Sequence, residues 1–400
     1  MLKLIKRNYD AIIIGAGPIG GLIADIISKK NYDVLLVEEH YEIGKPVQCA
    51  GLITPRVFDL VDCRKHILND VRGAQIFSPK GHTLSIDGGE GKAVVIDRAS
   101  FDKEIVKSAL KNGAELSLGA KAVKAERKNE RVILTLYLNG RKMEAASKIL
   151  IGADGIQSNV RRWFNLPKPR KILSGFQAEM VNIDIDLNFV KIFIGNEVAP
   201  QFFAWIIPME EGKARVGLCS YGTKESPYFY FKRLFKNDVS KQFLKEAQPI
   251  NYTVGAIPIG MVSRTYDDNI MIVGDAAAQV KATSGGGIYT GLVCAKHCGE
   301  VAVISLESND FSKNFLSNYQ KRCMKEIGKE LKADMRIHEV FAGLSDRQFE
   351  EIIDILDDEK LLKIISEVGD MDYPSKVGWA LLKKEPRLLK FLGAALKTLF

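Results

Sequence analysis

The stretch AIIIGAGPIG at residues 11–20 is the first indication of how this 400-residue chain folds. Its apolar half predicts a β-strand, and the residues that follow, 22–28, predict a helix. Glycines between a strand and a helix allow a sharp turn, so that the backbone can approach a pyrophosphate at the positive end of the helix. The stretch therefore predicts a dinucleotide-binding turn with contacts from Gly15, Gly17, Pro18 and Gly20.

An acidic residue ends the next predicted strand. Residues 33–37 predict that strand, and Glu38 follows it, about 20 residues after the glycines, as the dinucleotide pattern expects. A carboxylate at this position can accept hydrogen bonds from the ribose hydroxyls of an adenosine. A strand–turn–helix of this kind serves NAD as well as FAD, so these residues alone do not choose between the two.

Two later turns favour FAD. Gly152-Ala153-Asp154-Gly155 follows an apolar strand at residues 148–151, and Gly274-Asp275-Ala276-Ala277 follows another at residues 270–273. In open α/β sheets, ligands bind at the carboxyl ends of the strands, where both turns lie. We therefore expect Asp154, Gly274 and Asp275 to contribute to one FAD site, with Asp275 placed to bind a ribityl hydroxyl.

Composition and charge exclude several classes of protein. The net charge is +8 and the pI is about 9.0, but the lysines and arginines are scattered and no nucleic-acid motif accompanies them, so we expect no nucleic-acid partner. No run of about 18 apolar residues predicts a transmembrane helix. Six cysteines in a chain of this length do not indicate a disulfide framework, and Cys294 and Cys298 are interpreted as core residues rather than metal ligands. A cytoplasmic protein without a metal site is expected.

The FAD turns lie far apart in the chain, so the cofactor domain must be discontinuous. We assign it residues 1–72, 97–170 and 260–320, and a β-rich substrate domain residues 73–96 and 171–259. Residues 131–145 alternate and turn at Asn139-Gly140, which is typical of a type I′ hairpin. Residues 321–400 are predicted to form a helical C-terminal region, with helical spacing at residues 346–367.

The last fourteen residues have an amphipathic helical pattern. Pro386 suits a helix start. Arg387, Lys390, Ala394 and Lys397 share one face, and leucines with Phe391 and Phe400 cover most of the rest. Such a helix can lie in a membrane interface, or it can dock on the protein's own core. The sequence leaves both interpretations open.

Four further segments resemble the archaeal geranylgeranyl reductases, a family within the para-hydroxybenzoate-hydroxylase-like flavoproteins. The resemblance spans roughly residues 9–330. Residues 46–51, PVQCAG, are similar to the family's cysteine-containing flavin segment, and residues 95–98, VIDR, to its flavin-contacting arginine stretch. Residues 203–208, FAWIIP, followed by Gly217, resemble the substrate motif YxWxFP…GxG. Residues 283–288, TSGGGI, resemble the glycine-rich turn near the flavin.

The resemblance implies an α/β (α+β) fold with an FAD-binding Rossmann domain, a β-rich substrate domain and a helical C-terminal region. It also implies roles for individual residues. Flavin contacts are expected from Cys49, Ala50, Gly51, Arg98, Gly286, Gly287 and Ile288. Substrate contacts are expected from Phe203, Trp205, Pro208 and Gly217. The reaction itself is expected to involve Cys49, Trp205 and Gly286, the last because amides at the helix start can stabilise the anion of reduced flavin.

This chain departs from the family pattern at several positions. Phe203 replaces the motif tyrosine, Ile207 the motif phenylalanine and Cys219 the second glycine of GxG. Lys281-Ala282 stands where many members carry Asp-Pro. These changes leave the FAD prediction intact, but the exact isoprenoid substrate stays open.

The sequence therefore predicts an FAD-dependent reductase of geranylgeranyl C=C bonds in archaeal membrane lipids or their precursors, acting at the inner face of the membrane. An aromatic monooxygenase or epoxidase of the same fold is the alternative enzyme. A flavin electron carrier or a lipid-binding protein without its own activity is the alternative from another class. No second dinucleotide fingerprint is visible, so the electron donor is not identified.

Overall fold

Strands and helices of the chain were located in a computed structural model that describes residues 5–396. The strands, in chain order, are β1 (Asn8–Ile14), β2 (Val34–Val37), β3 (Leu52–Ile53), β4 (Ile67–Val71), β5 (Gly73–Phe77), β6 (Thr83–Asp87), β7 (Ala93–Ile96), β8 (Glu115–Ser117), β9 (Ala120–Lys128), β10 (Arg131–Leu138), β11 (Arg141–Gly152), β12 (Lys171–Val181), β13 (Phe189–Ile194), β14 (Phe203–Glu210), β15 (Lys213–Ser220), β16 (Gln248–Ile259), β17 (Tyr266–Asp267) and β18 (Ile270–Ile272).

The helices, in chain order, are α1 (Pro18–Ser28), α2 (Arg98–Lys111), α3 (Asn159–Trp163), α4 (Pro227–Leu234), α5 (Lys241–Leu244), α6 (Ile288–Ser308), α7 (Lys313–Glu326), α8 (Gly328–Ala342), α9 (Asp346–Leu356), α10 (Glu359–Val368), α11 (Pro374–Lys384) and α12 (Leu389–Leu396). Short 3-10 turns occur at Pro55–Asp59, Arg64–His66, Gly274–Ala277 and Pro386–Leu388.

The first sheet has a parallel centre that brings the predicted cofactor turns together. Its order is β17-β18-β11-β1-β2-β8, and β1 pairs in parallel with both β11 and β2, while β11 pairs in parallel with β18. Parallel strands end at the same edge of a sheet. The turns after β1, β11 and β18 therefore lie at one edge, although they are more than 100 residues apart in sequence. The α/β architecture predicted for this part of the chain is confirmed.

Helices α1 and α6 cover one face of this sheet, and glycines allow them to pack closely. A Cβ atom on Gly291 would lie 2.7 Å from Ile19 Cδ1, and one on Gly299 would lie 3.0 Å from Ile26 Cβ. On the other side of the sheet, β10 and β11 form the predicted hairpin. Asn139 and Gly140 have φ values of +51° and +76°, as a type I′ turn requires.

The second sheet is mostly antiparallel and has the order β16-β12-β15-β14-β13-β5-β6. Its buried face contains a core with Phe176, Met180, Ile206 and Phe231. A small third sheet, β3-β7-β4, joins the segment around Gly51 to the strand that precedes Arg98. The β-rich character predicted between the cofactor turns is therefore present, while the exact domain boundaries stay a prediction.

The C-terminal part is helical, as predicted. The helical spacing at residues 346–367 is carried by two helices, α9 and α10, because Asp358 accepts hydrogen bonds from the amides of Lys360 and Leu361 and starts the second helix. All six cysteines are unpaired. Within residues 5–396, no group of side chains has the composition of a metal site, and no helix has the length and apolar character needed to cross a membrane.

Part of the amphipathic C-terminal pattern docks on the protein. Phe391 of α12 is buried in a cluster with Leu84, Ile194 and Phe349, and Lys390 Nζ lies 2.9 Å from Glu351 Oε2. Leu389 and Leu392 remain exposed. The predicted positions Lys397 and Phe400 lie outside the described residues. The docked interpretation therefore holds for Phe391, whereas Leu389 and Leu392 are exposed on the outer surface.

Candidate cofactor and substrate site

The first glycine-rich turn combines two tightly packed glycines with one that faces open space. A Cβ atom on Gly15, whose φ is +101°, would lie 2.2 Å from the carbonyl oxygen of Ala153. One on Gly20 would lie 1.9 Å from the carbonyl oxygen of Gly15. A Cβ atom on Gly17 would meet nothing within 4 Å. Gly17 therefore leaves room at the start of α1, where a phosphate group fits.

Glu38 lies next to this turn at the end of β2. Its Oε2 accepts a hydrogen bond from the amide of Ala16 at 2.9 Å, and its Oε1 accepts one from the amide of His40 at 2.9 Å. The ring Nδ1 of His40 lies 2.6 Å from the same oxygen. The carboxylate is thus held against the glycine-rich turn, and a contact from it to a ribose stays a prediction.

Asp154, after β11, has a capping role. Its carboxylate accepts hydrogen bonds from Ser158 Oγ at 2.6 Å and from the amide of Val160 at 3.1 Å, at the start of α3. Burial raises the pKa of Asp154, and these hydrogen bonds act against that shift. Gly155, with φ of +69°, faces open space. The backbone of this turn is therefore the part free to contact a cofactor, and a contact from the Asp154 side chain stays a prediction.

Asp275, after β18, faces the start of α6. A Cβ atom on Gly287 would lie 3.2 Å from Asp275 Oδ1. No side chain or amide among residues 5–396 donates a hydrogen bond to the Asp275 carboxylate. Burial raises the pKa of this carboxyl, and the positive charge of Arg98 acts in the opposite direction. Asp275 is half-buried, and a carboxylate that no protein group donates to can bind a ligand hydroxyl, which stays a prediction.

Cys49, Arg98 and Asp275 are brought together from three distant segments. Arg98 makes a bidentate ion pair with Asp102, with N–O distances of 3.1 and 2.9 Å. Burial acts against the charge of Arg98, but Asp102 and the neighbouring Cys49 thiol raise its pKa above the usual range. The Cys49 thiol also accepts a hydrogen bond from the amide of Gly51 at 3.3 Å. The two segments that resemble flavin-contacting motifs therefore meet beside the third turn.

A chain of hydrogen bonds joins this group to the aromatic strand β14. Trp205 Nε1 donates to Gln177 Oε1 at 3.1 Å, and Gln177 Nε2 donates to the carbonyl oxygen of Cys49 at 3.3 Å. Arg215, on β15, donates to the carbonyl oxygens of Ala50 at 2.8 Å and Ile96 at 3.2 Å. Gln177 and Arg215 were not predicted from the sequence. They are polar residues flanked on both sides by apolar neighbours, in Phe176–Ala178 on β12 and Ala214–Val216 on β15, which is the signal that could have marked them.

A glycine is required at position 217 because this residue faces the indole of Trp205 on the neighbouring strand. The two residues are opposite each other on β14 and β15, and a Cβ atom on Gly217 would lie 2.8 Å from the indole Cζ2. Phe203 lies on the same face of β14, with its ring centroid 6.1 Å from that of Trp205. Phe202 stacks on Phe203 at 4.3 Å. These rings form an apolar surface next to the Cys49 segment.

Pro208 does not share that surface. Side chains alternate along a strand, so Pro208 lies on the opposite face of β14 from Phe203 and Trp205. It is buried, and its carbonyl oxygen accepts a hydrogen bond from Asn69 Nδ2 at 3.2 Å. The structure therefore gives Pro208 a packing role, and a substrate contact from it stays a prediction.

The glycine-rich turn before α6 is connected to the C-terminal region through Lys281. Lys281 is buried, and its Nζ lies 2.7 Å from both the carbonyl oxygen of Met371 and Asp372 Oδ1. Asp372 also accepts a hydrogen bond from Thr54 Oγ1. A Cβ atom on Gly286 would lie 3.1 Å from Lys281 Cε. The sequence marks Lys281 as a departure from the family pattern, but not its partner.

Helix α8 places two further titratable side chains against this region. Asp334 and His338 are one helical turn apart and almost completely buried. Asp334 Oδ1 accepts a hydrogen bond from Thr283 Oγ1 at 2.8 Å, and Asp334 Oδ2 and His338 Nε2 have no hydrogen-bond partner among the described residues. The ring centroid of His338 is 6.0 Å from that of Phe202. Sequence reasoning missed both residues.

Comparisons with known proteins agree with this arrangement. Residues 171–257 match the family model described as the geranylgeranyl reductase catalytic domain. An uncharacterized protein of Methanocaldococcus jannaschii is 37% identical, with 94% of this chain and 96% of the relative covered. The digeranylgeranylglycerophospholipid reductase of the same organism is 31% identical, with 98% of this chain and 99% of the relative covered.

Solved structures share the whole fold. A geranylgeranyl bacteriochlorophyll reductase-like protein from Thermoplasma acidophilum has a TM-score of 0.87 at 26% identity, covering 97% of this chain and 99% of its own. The halogenase PltM, solved in complex with FAD, has a TM-score of 0.70 at 14% identity, covering 97% of this chain and 94% of its own, which is a likeness of fold alone. By its full-length similarity to the digeranylgeranylglycerophospholipid reductases, the chain belongs to the geranylgeranyl reductase family.

Proposed function

We propose that this protein is an FAD-dependent reductase that saturates C=C bonds of geranylgeranyl chains in membrane lipids or their precursors. The observation that carries the proposal is the link between the cofactor turns and the aromatic strand, from Cys49 through Gln177 to Trp205. That link puts an apolar surface directly beside the segments that resemble flavin-contacting motifs. Family membership supports the same substrate class.

The three turns at the sheet edge would hold the FAD. The open space at Gly17 accommodates the pyrophosphate, Glu38 reaches the adenosine ribose, and Asp275 accepts a hydrogen bond from a ribityl hydroxyl. Gly287 and Ile288 would present amides at the start of α6 to the flavin, where the helix dipole favours negative charge. The amide of Gly286 donates to Ser284 Oγ at 3.3 Å, so a flavin contact from Gly286 stays a prediction. When bound, the reduced flavin supplies the hydride for C=C reduction.

Phe203, Trp205 and the residues around them would bind the isoprenoid chain. Their rings offer flat apolar surface, which matches a chain of methyl-branched alkene units and excludes water from it. Cys49 and Arg98 would also contact the flavin. The proposed division into a cofactor domain, residues 1–72, 97–170 and 260–320, and a substrate domain, residues 73–96 and 171–259, follows from these roles.

A first experiment identifies the ligands. The purified protein is denatured, and the released small molecules are analysed by absorbance and mass spectrometry, while co-purifying lipids are identified separately. FAD together with partly unsaturated isoprenoid lipid is the expected result. NADP without flavin, after an attempt at flavin reconstitution, would contradict the cofactor proposal.

A second experiment tests Trp205. Trp205→Ala should lower the turnover of geranylgeranyl lipid while FAD occupancy stays near that of the wild type. Trp379→Ala is the matched control, because that tryptophan is 66% exposed on α11 and lies outside the proposed substrate site. If Trp205→Ala and Trp379→Ala retain equal turnover, Trp205 is not a substrate residue.

We propose a location at the cytoplasmic face of the membrane, since the substrate is a lipid. Unpaired cysteines are in keeping with a reducing compartment. An exposed apolar strip on β16, formed by Ile250, Tyr252 and Val254, supports contact with the membrane. The strip adjoins the flavin segment, because Gln48 Nε2 donates to the carbonyl oxygen of Val254 at 3.3 Å and Thr253 Oγ1 to that of Val47 at 3.0 Å.

A further inference from the structure

Saturation of a C=C bond needs a proton as well as a hydride, and the residues assigned above leave the source of the proton open. The hydride adds to one carbon of the double bond, and a proton must reach the other. An apolar site excludes the water that would otherwise supply it. If the proposed reductase function holds, a buried acid close to the cofactor turn is therefore the group suited to supply the proton.

Helix α8 presents one such acid to the glycine-rich turn. Asp334 is completely buried, yet only one of its carboxyl oxygens has a partner within the described part of the chain. That partner is Thr283 Oγ1, at 2.8 Å from Asp334 Oδ1. Thr283 is half-buried and lies two residues before the first of the three glycines that lead into α6. The hydroxyl thus connects a fully buried carboxyl to the turn on which the flavin is proposed to bind.

The same part of α8 also contacts the aromatic surface. Met335, next to Asp334, packs in a cluster with Phe202 and Ala282, and Phe203 and Trp205 lie at the edge of that cluster. Thr283 directly follows Ala282 in the chain. Thr283 therefore lies in the segment that connects the aromatic cluster to the cofactor turn, and its hydroxyl contacts Asp334.

Burial and nearby charges raise the pKa of the Asp334 carboxyl towards neutral pH. Burial raises the pKa of Asp334 to about 6, with smaller opposing effects of the Thr283 hydrogen bond and of Lys281. Glu330, on the same helix, and Asp372, on the loop before α11, add to the increase. An acid with a pKa near the working pH is suited to proton transfer in a transition state.

Nearby groups are less suited to this role. Burial, together with the charge of Lys171, lowers the pKa of His338 to about 4, so that its ring is neutral at pH 7 and holds no imidazolium proton to donate. Lys281 is held by Asp372 and by the carbonyl oxygen of Met371. Cys49 lies beside Arg98, at the opposite end of the hydrogen-bonded link from Trp205. The variant Cys49→Ser tests the thiol as a proton donor in the same assay.

We propose that Thr283 and Asp334 form the proton-delivery pair for C=C reduction. In this step the protonated Asp334 carboxyl donates its hydrogen bond to the Thr283 hydroxyl, the reverse of the direction that Thr283 Oγ1 and Asp334 Oδ1 have in the structure. The hydroxyl gives its own proton to one alkene carbon and takes the carboxyl proton in its place. The other alkene carbon receives the hydride supplied by the reduced flavin, so the alkene is reduced and the flavin is oxidised. The Asp334 carboxylate then takes a proton from solvent, which restores the pair.

The test separates proton delivery from cofactor binding. Protein reduced in the absence of oxygen is mixed with geranylgeranyl lipid, and flavin reoxidation is followed by absorbance. Asp334→Asn and Thr283→Val should slow reoxidation by about 10²–10³-fold, which is typical for loss of general acid catalysis. Thr283→Ser keeps the hydroxyl and should restore most of the rate. FAD affinity and reoxidation by a one-electron acceptor such as ferricenium should be unchanged in all variants.

The pH profile provides a readout that a structural role would not change. The wild-type rate should fall as the pH rises through the pKa of Asp334, and Asp334→Asn should remove that dependence. Glu330→Gln is the matched control, because it removes a carboxylate from the same helix whose oxygens already accept hydrogen bonds from Ser375. It should keep the wild-type rate within a few-fold, and its rate should fall at a lower pH than that of the wild type, because Glu330 adds to the increase in the pKa of Asp334.

The outcomes distinguish this inference from the proposed function. If geranylgeranyl lipid does not reoxidise the wild-type protein, the reductase proposal fails. If it does, but Asp334→Asn and Thr283→Val keep the wild-type rate and pH profile, the proton-delivery pair is wrong while the reductase proposal stands. A large loss in Cys49→Ser alone, without a loss in Asp334→Asn, would assign the proton to the thiol instead.

Discussion

Neighbouring glycines in the first turn have different physical reasons to be glycine. Gly20 has no room for a side chain because the carbonyl oxygen of Gly15 would lie 1.9 Å from its Cβ, whereas Gly17 faces open space. A motif search treats the two residues alike. Only the contacts show that the packing of the protein requires glycine at position 20, whereas position 17 faces the space proposed for a phosphate.

This difference leads to a prediction for paired variants. Gly17→Ala should fold with a melting temperature near that of the wild-type apoprotein but bind FAD at least tenfold more weakly, because the methyl group occupies the proposed phosphate space. Gly20→Ala should lower the stability of the apoprotein by about 1–3 kcal/mol, as expected for overpacking. Thermal unfolding of both apoproteins and FAD titration measure the two effects. Equal FAD affinity in Gly17→Ala and the wild type would place the cofactor elsewhere.

Asp334 should also make stability depend on pH. Its pKa is about 6 in the folded protein against an ordinary value of 3.8, so the folded state holds the proton more tightly than the unfolded chain. The resulting stabilisation is fully present below about pH 4 and is lost as the pH rises through 6. Relative to Asp334→Asn, the free energy of unfolding of the wild type should therefore fall as the pH rises from about 4 through 6. Denaturant titrations from pH 4 to pH 7.5 measure it, and parallel curves would show that Asp334 is ionised as readily as in water.

Sequence reasoning reached the residues that a local strand-and-turn pattern marks, even where their contacts are distant in sequence. Gly15 and Asp275 belong to this group, since a strand and a turn suffice to predict them. Lys281, Asp372 and Asp334 do not, because their partners are 91 residues away in the first two cases and 51 in the third. No local pattern contains the information that a helix from the C-terminal region packs against the cofactor turn.

At the scale of elements, β14 and β15 form the proposed substrate surface as a pair. The indole of Trp205 occupies the space that a side chain on Gly217 would need, with only 2.8 Å between Cζ2 and the added Cβ. The segment FAWIIP at residues 203–208 and Gly217 of the following strand therefore form one structural unit. The register of the two strands, which pairs these residues, explains why the motif needs both.

Gly217→Ala should displace the indole and so affect lipid turnover more than FAD binding. We expect a loss of about 1–3 kcal/mol in stability from overpacking. In a double-mutant cycle with Trp205→Ala, the two losses should be less than additive, because removal of the ring relieves most of the clash. Additive losses would mean that the contact with the carbonyl oxygen of Phe176, at 2.9 Å, decides the effect of the substitution.

Element boundaries show where sequence patterns were sufficient. The helical spacing at residues 346–367 predicts helix correctly, but Asp357 and Asp358 separate α9 from α10. The hairpin at Asn139-Gly140 follows directly from its turn residues. The small sheet β3-β7-β4 was not predicted, because its strands are short and come from three separated segments.

At the scale of the whole molecule, the site is assembled from nearly the entire chain. Turns near residues 15, 154 and 275 meet because parallel strands end at one edge, and this could be predicted from the spacing of the motifs. The contribution of the C-terminal region could not. Asp372 contacts Lys281 and Thr54, and Arg56 makes a bidentate ion pair with Asp370 at 2.7 and 2.8 Å. These contacts hold the segment before α11 against both the glycine-rich turn and the segment after Gly51.

Two outer surfaces of the molecule are candidates for contact with the membrane, and they make different predictions. On β16, Ile250, Tyr252 and Val254 are 57%, 55% and 66% exposed, and the strand lies beside the flavin segment. Lys232 Nζ, 4.9 Å from the ring centroid of the adjacent Tyr228, adds positive charge near this strip. On α12, Leu389 and Leu392 are exposed, but Phe391 ties that helix to the core.

We expect the β16 strip to make the main contact, because it lies next to the flavin segment at residues 47–48 and exposes apolar side chains to water. Ile250→Ser with Val254→Ser should weaken binding to anionic vesicles several-fold, whereas Leu389→Ser with Leu392→Ser should change it little. Turnover of a short, detergent-dispersed substrate should stay near that of the wild type in both double variants. Co-sedimentation with vesicles at low and high salt measures the binding, since screening weakens the contribution of the lysines. If only the α12 variant loses binding, the membrane surface is the C-terminal helix; if neither does, the strip on β16 serves another contact, such as a second copy of the chain.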